Sequence, residues 1–445
     1  MMESQQQPAY RADLQEVFAR QHRHKWVQRS TSAQARIDRL TSLKAAIEAA
    51  EDDIRTALWQ DLRKTSEHTQ VELNCSYSDI DFAVSHLEDW LKPRPVDRTV
   101  LPTGHAEIRY EARGQVLLFG PWNFPFSLVI QPLVPIIAAG NCVVVKPNEL
   151  TPATSELVAG LLAGVFPEEE VAVVEGDVET ANALLELPFD HIFLTGSPAV
   201  GKLVMKAAAN HLASVTLELG GKNPVIIDGS ADLSLAAEHI ARVRLMNHGQ
   251  ICLAPENVWV PEERLEEFLG LLESALKSLV YTDGKLDVDV CGRIVNEGNL
   301  RRVTGYIDDA TAKGARVVCG GTVFVDRFVL EPTILADIPA SAKVLREEIF
   351  GPVVCVFGYQ DIATVFSSLQ AQPDPLSLYV FSEETAFVEA VLANTSSGGV
   401  TVNSCLAHFL EQHLPFGGKN NSGLGAYHGE RGFRELSHER AVFVQ

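Results

Sequence analysis

From residue 106 onward the chain alternates short β-rich runs with helix-length segments, and this alternation limits the fold more than any other feature. The runs are Ala106–Tyr110, Gln115–Phe119, Cys142–Lys146, Val171–Glu175, His191–Leu194, Val215–Leu219 and Val225–Asp228. Between them lie 127–139, 151–166, 178–185 and 198–210, each long enough for a crossover helix. Strand–helix–strand units of this kind predict an α/β fold with a mostly parallel sheet. Such sheets bind ligands beyond the carboxyl ends of their strands. The loops expected there are Gly120–Phe126, Lys146–Thr151, Thr195–Gly201 and Gly220–Asn223, rich in Gly, Pro and small polar residues.

A helical layer precedes this region. Residues 12–60 carry Leu14, Val17, Phe18, Leu40, Leu43, Ile47, Ile54 and Leu58 at helical spacing, and a further helical stretch, 68–92, stops before Pro93 and Pro95. Arg94–Gly104 reads as a connector. A second α/β stretch runs from about 232 to 400, with strands at Asn257–Val260, Val317–Cys319, Val353–Phe357 and Leu378–Phe381. The end of the chain is β-prone at Arg440–Val444. At roughly 100–200 residues per domain, 445 residues allow two to four domains.

Charge and cysteine usage exclude several function classes. The 37 Lys+Arg against 58 Asp+Glu give a net charge of −21, unsuited to nucleic acid or an anionic membrane surface. Seven scattered cysteines without a Cys-x-x-Cys pair suit neither a disulfide framework nor a zinc site, so no metal is expected and a reducing cytoplasm is. The start of the chain shows no apolar signal region, and Phe124–Val145 is interrupted by Pro125, Pro132 and Pro135. That stretch reads as buried core, and a soluble protein without a membrane anchor is expected.

Five segments could carry chemistry. Gly196-Ser-Pro-Ala-Val-Gly201-Lys202 follows a strand and opens a helix, a good seat for a pyrophosphate or simply a tight turn. Its spacing is that of a Walker A loop, but Leu203 stands where Ser or Thr should hold Mg²⁺, and no Gly-x-Gly-x-x-Gly occurs in the chain. Gly249 interrupts a helical stretch that starts near Asp232, and Cys252 follows in a Gly/Gln loop, Gly249-Gln-Ile-Cys252, where a thiolate could be supported, unlike the other six cysteines in apolar or β-rich surroundings. Glu218 alternates with Leu217 and Leu219 before Gly220-Gly221, and is either a solvated carboxylate on an edge strand or a working base. Asn123, between Pro121 and Pro125, is a turn former or an amide donor to an oxyanion. Glu347-Glu348-Ile-Phe350-Gly-Pro352 sets an acidic pair beside an aromatic residue, or only marks a helix end leading to a strand.

Together these segments resemble the aldehyde dehydrogenase superfamily from about residue 10 to the C-terminus. The matching pieces occur in the family's order: Pro121-Trp-Asn-Phe-Pro125, Lys146-Pro-Asn-Glu149, Phe193-Leu-Thr-Gly-Ser197, Leu217-Glu-Leu-Gly-Gly-Lys222, Gly249-Gln-Ile-Cys252, Glu348-Ile-Phe-Gly-Pro352 and Pro415-Phe-Gly-Gly418. The chain length, Met246–Pro255 and the Asn420–Gly429 ending resemble the class 3 branch.

The resemblance implies two Rossmann-like domains with a small β bridging and oligomerisation element. Residues 1–92 and 114–220 would form the dinucleotide-binding domain, 221–405 the catalytic domain, and 93–113 with 406–445 the bridging element of a homodimer. It implies oxidation of an aldehyde, aromatic or medium-chain aliphatic, to the acid through a thiohemiacetal and a thioester on Cys252. Asn123 would hold the oxyanion and Glu218 would be the base for hydrolysis. A coenzyme A-acylating dehydrogenase and a redox-independent cysteine esterase are the alternatives. The implied cofactor is NAD, with NADP also used in this branch. Lys146 and Glu149 would contact the adenosine ribose, Gly196 and Ser197 the pyrophosphate, Glu348 the nicotinamide ribose and Phe350 the nicotinamide. Phe124, Phe416, His408 and Phe409 would line the substrate pocket. Glu256, where the branch often has Asp, and Lys419, where an apolar residue is usual, depart from the pattern; neither is expected to touch the chemistry.

Overall fold

The computed structural model describes residues 6–445, with side chains from residue 13. Four helices, Gln6–Arg29, Ala33–Ala49, Glu51–Leu62 and Ser66–Trp90, form the N-terminal layer. The helical stretch expected over 12–60 is therefore three helices. Ser32 caps the second, its Oγ accepting from the Ala35 amide at 3.2 Å. The third ends at Arg63 in the left-handed region, and Thr65 caps the fourth. Leu40, Leu43, Ile47, Ile54 and Leu58 are all buried, as their spacing predicts.

The first sheet has the order Gly423–Leu424, Ser214–Glu218, His191–Thr195, Gln115–Phe119, Cys142–Lys146 and Val171–Val173. All its pairings are parallel except that of Gly423–Leu424. Gln115–Phe119 lies between the strand that follows it in sequence and His191–Thr195, so the order reverses there. This is the switch point at which a doubly wound sheet opens a crevice. The helix Ser127–Ala139 crosses between the first two of these strands, buried throughout and continuous despite Pro132 and Pro135.

The second sheet has seven strands, in the order Arg316–Cys319, Thr333–Ala336, Val353–Tyr359, Asn257–Pro261, Pro224–Ile227, Ser377–Phe381 and Gly399–Val402. Only its first pairing is antiparallel. The β-run at 225–228 thus joins the second sheet, not the series that precedes it in sequence. A third sheet pairs Arg94–Pro95 with His105–Ala112, and His105–Ala112 with Ser437–Val444, all antiparallel. Residues 406–445 are divided between two sheets, since Gly423–Leu424 extends the first and Ser437–Val444 the third.

The helix Leu233–Leu245 stops three residues before the expected break at Gly249. Asn247, His248 and Gly249 take φ values of 48°, 55° and 77° in turn. A Cβ on Gly249 would collide with the Gly351 carbonyl, so both its backbone angle and its close approach require glycine. Gly249→Ala is expected to lower the melting temperature and to remove activity; a variant with unchanged melting and turnover would contradict this account of the turn.

Candidate active site

Cys252 follows the left-handed turn and is placed by backbone anchors on every side. Asn223 Nδ2 donates to the Cys252 carbonyl at 2.7 Å and to that of Ala254 at 3.1 Å. Tyr379 donates its hydroxyl to the Leu253 carbonyl at 2.7 Å. Arg244, fully buried, donates to the carbonyls of Pro255 and Gly351. The amides of Cys252 and Leu253 face the sulfur.

Asn123 is brought to the same place. Its Nδ2 donates to the Gln250 carbonyl at 3.1 Å, while Asn247 Nδ2 donates to the Asn123 carbonyl at 2.7 Å. Gln250 Nε2 bonds the carbonyls of Asn247 and Arg293 at 3.0 and 2.9 Å, and its Oε1 accepts from Val295. One amide proton of Asn123 is thereby committed, and the second remains available as a donor.

Glu218 is buried, and neither carboxylate oxygen has a hydrogen-bond partner among the described residues. It does not stand on an open edge: Thr195 pairs with it on one side and Gly423 on the other. Burial, with Glu435 nearby, raises its carboxyl well above the ordinary range. Burial also pushes the Cys252 thiol up, and the proximity of Glu348 and Glu218 adds to this.

Glu348 lies against Gly220, where any Cβ would overlap its carboxylate. Its pKa is pushed up to about 8, first by burial and then by Glu256, against the Gly221 amide, Lys222 and Arg244. Phe350 stands beside it with φ 49°, edge-on to Trp122 at 5.2 Å. Glu256 is the hub of this corner. Its Oε1 accepts from the Ile349 amide at 2.6 Å and its Oε2 from Lys222 Nζ at 2.6 Å, with Arg244 at 3.8 Å. It therefore ties the Glu348 loop to the segment that follows Cys252, a positioning role the sequence pattern does not signal. Asn223 and Asn247 are likewise unsignalled, although each adjoins a motif that is. Lys419 is turned to Ser396, its Nζ donating to the hydroxyl at 2.6 Å.

The remaining candidates fall into two groups. At the carboxyl ends of the first sheet, Lys146 Nζ donates to Glu149 at 2.6 Å and to the Pro147 carbonyl at 3.0 Å. Two strands along the sheet, beyond Gln115–Phe119, the Gly196 amide donates to the Glu218 carbonyl at 2.9 Å, and Ser197 caps the helix Pro198–Ala209. The second group is aromatic. Phe416 packs against Phe409 at 4.9 Å, Tyr427 at 5.7 Å and His428 at 5.4 Å. His408 lies 6.3 Å from Phe416, and both its ring nitrogens face hydroxyls, those of Ser377 at 3.1 Å and Thr401 at 2.7 Å. Phe124, in the same apolar cluster, has its ring centroid 3.8 Å from Lys64 Nζ.

These features fit a dinucleotide. A helix N-terminus after a Gly-Ser turn suits the diphosphate. The Lys146–Glu149 pair and the Glu348 carboxylate suit ribose hydroxyls, which donate to carboxylates. The Thr195 hydroxyl is buried at the same edge without a partner among the described residues, and Val200 and Leu203 leave an exposed apolar helix face beside it.

The site combines loops of opposite polarity. Gly120–Phe126, Lys146–Glu149 and Thr195–Ser197 follow strands of the first sheet, whereas Gly220–Asn223, Gly249–Glu256 and Glu347–Pro352 precede strands of the second. The carboxyl-end rule thus holds for one sheet, and the thiol is carried by the amino end of the other. A carboxyl with a raised folded-state pKa favours folding below its unfolded value and loses that contribution as pH rises through the folded value. For Glu348 the window runs from 4.5 to about 8. Without coenzyme, Glu348→Gln is expected to melt progressively higher than the parent as pH rises across that window; parallel melting curves at all pH values would contradict the assignment.

The family model described as aldehyde dehydrogenase family matches residues 4–442. A mouse (Mus musculus) protein named aldehyde dehydrogenase, dimeric NADP-preferring, is 39% identical over 414 residues, covering 93% of this chain and 90% of its own. The structure of a substrate-bound state of Staphylococcus aureus AldH is 34% identical, with a TM-score of 0.92 and coverage of 97% and 94%. A Mycobacterium tuberculosis aldehyde dehydrogenase complexed with NAD+ gives a TM-score of 0.89 at 26% identity, with coverage of 98% and 90%.

Proposed function

We propose how the reaction runs in a chain that belongs to the aldehyde dehydrogenase family and is an NAD(P)-dependent oxidoreductase acting on aldehydes. Cys252 attacks the carbonyl carbon as the thiolate, and the displaced carbonyl electron pair settles on oxygen. That oxyanion is held by the second amide proton of Asn123 and the backbone amide of Cys252, both fixed before the substrate arrives. A bound nicotinamide coenzyme supplies the hydride acceptor. The oxyanion collapses to a carbonyl as the aldehyde C–H bond breaks and its hydrogen leaves as hydride, and the acyl group remains on sulfur as a thioester. Glu218 takes a proton from water as the water oxygen attacks the thioester carbonyl, releasing the carboxylic acid and regenerating the Cys252 thiolate.

The observation that carries this reading is Glu218: a buried carboxylate without a partner, close enough to Cys252 to disfavour its ionisation. Burial raises its affinity for a proton, which suits a base, and a structural carboxylate so buried would be paired.

Lys146, Glu149, Gly196, Ser197, Glu348 and Phe350 are the residues we assign to the coenzyme, in the roles given by the family resemblance. The Glu149 carboxylate repels a 2′-phosphate, and we favour NAD. Phe409, Phe416 and Phe124 favour an apolar aldehyde, aromatic or medium-chain aliphatic, with His408 shaping the pocket through Phe416. We assign residues 1–92 and 114–220 to coenzyme binding and 221–405 to catalysis. Residues 93–113 and 406–445 are assigned to bridging, subject to the Gly423–Leu424 strand that runs with the first sheet. Ser437–Val444 is an edge of the third sheet with Phe443 and Val444 exposed, which supports pairing with a second copy in a homodimer. Among the described residues no helix is long and apolar enough to cross a membrane.

Glu218→Gln is expected to release about one reduced nicotinamide per active site and then stall, because deacylation has lost its base. Cys252→Ala should release none. A steady state unchanged in Glu218→Gln would overturn the assignment of the base, and turnover that depends on added coenzyme A would replace water as the acyl acceptor.

A further inference from the structure

Behind the Asn123 loop lies an ion pair wholly removed from solvent. Lys64 Nζ and Glu72 Oε1 are 2.5 Å apart, and both side chains have no exposed surface. Glu72, on the helix Ser66–Trp90, uses its other oxygen on the next helix. Oε2 accepts from the amides of Phe126 at 3.1 Å and Ser127 at 2.9 Å, where Ser127–Ala139 begins without a side-chain cap of its own. Lys64 in turn lies over the Phe124 ring at 3.8 Å.

The two neighbouring histidines do not compete for the pair. Burial pushes His68 down to about 4, with Lys64 adding to the effect, and His248 down to about 3, so both are neutral at working pH. Taking two charges out of water is costly, and well-packed apolar residues would often stabilise such a place as well or better. What this pair does that apolar residues could not is hold three points at once: the Phe124 face and two successive backbone amides. Those points flank Asn123 on its C-terminal side. On the other side of the site, Asn247 and Gln250 hold Asn123 itself.

We propose that Lys64 and Glu72 are positioning residues for the oxyanion donor, fixing the Phe124–Ser127 segment so that the Asn123 amide meets the oxygen of the Cys252 adduct. The proposal rests on the assignment of Asn123 as that donor. Among the described residues their side-chain hydrogen bonds, ion pair and ring contact go to each other, Phe124, Phe126 and Ser127 and to no residue assigned to the coenzyme, so a loosened pair slows acyl-enzyme formation and leaves coenzyme binding alone. A misplacement of about 1 Å at such a donor can cost on the order of 10²-fold in rate.

The test is a double-mutant cycle on the full-length protein. Lys64→Met/Glu72→Gln removes both charges together, so neither is left buried and unpaired. It is made in the parent and in Asn123→Ala, and the pre-steady-state burst of reduced nicotinamide, the coenzyme KM and the melting temperature are measured for each. Asn123→Ala alone should lower the burst rate by about 10²–10³-fold. The pair variant should lower it at least ~10-fold in the parent but less than ~2-fold in Asn123→Ala, with unchanged coenzyme KM. The same fold-loss in both backgrounds, or no loss in the parent, overturns the proposal. A full burst in Asn123→Ala instead removes the oxyanion assignment and the proposal with it. Should the paired substitution not fold, Glu72→Asp keeps the charge and draws the carboxylate back by one methylene. It should slow the burst in the parent and leave Asn123→Ala unaffected, and equal loss in both would again overturn the proposal.

Discussion

Three consecutive residues with left-handed backbone, Asn247 to Gly249, turn the chain out of a buried helix and place Cys252 between two sheets. Two of the three are not glycine, and such angles cost roughly 1–2 kcal/mol for each L-residue. The strain is offset by groups of the site itself. The Asn247 side chain bonds the carbonyls of Asn123 and Gln250, the Gln250 side chain returns to Asn247, and His248 Nε2 accepts from the Leu330 amide. The turn, Asn123 and the Gly249–Cys252 segment are thus one hydrogen-bonded unit, and a shift in any of them moves the others.

Around that unit the two large sheets meet with opposite polarity. The first offers the carboxyl ends of its strands, where backbone amides and a helix N-terminus suit an anionic coenzyme in a protein of net charge −21. The second offers amino ends, carrying Gly220, Cys252 and Glu348. Glu218 and Glu348 are both buried, and burial pushes both carboxyls upward, with Glu435 adding to the first and Glu256 to the second. The N-terminal helices brace the arrangement from outside. Glu72 holds the helix after Asn123, while the Asp61 carbonyl accepts from Arg293, whose own carbonyl receives Gln250.

Legibility in the sequence follows the range of the interactions involved. The central parallel strands of the first sheet are readable because Gln115–Phe119 and Cys142–Lys146 are short apolar-rich runs buried on both faces. The loops are readable from their Gly and Pro residues. The environment of Glu218 is not, because what closes its strand edge is Gly423–Leu424, some two hundred residues away in the chain. Glu256 likewise reads as a departure without consequence, yet its carboxylate joins Lys222 to the Ile349 amide. Long-range partners of single polar side chains leave no periodic trace. The break before the thiol reads three residues too late, since glycine signals a left-handed position but Asn and His in the same conformation do not.

The central claim is that a covalent acyl group forms on Cys252 and no other of the seven cysteines. Its most direct test is peptide mass mapping of the protein quenched in acid during turnover with an aldehyde and NAD. The Cys252 peptide should carry the added mass of the acyl group, with the six other cysteine peptides unmodified. An adduct on a different cysteine, or rapid turnover with no adduct on Cys252 at any quench time, would contradict it.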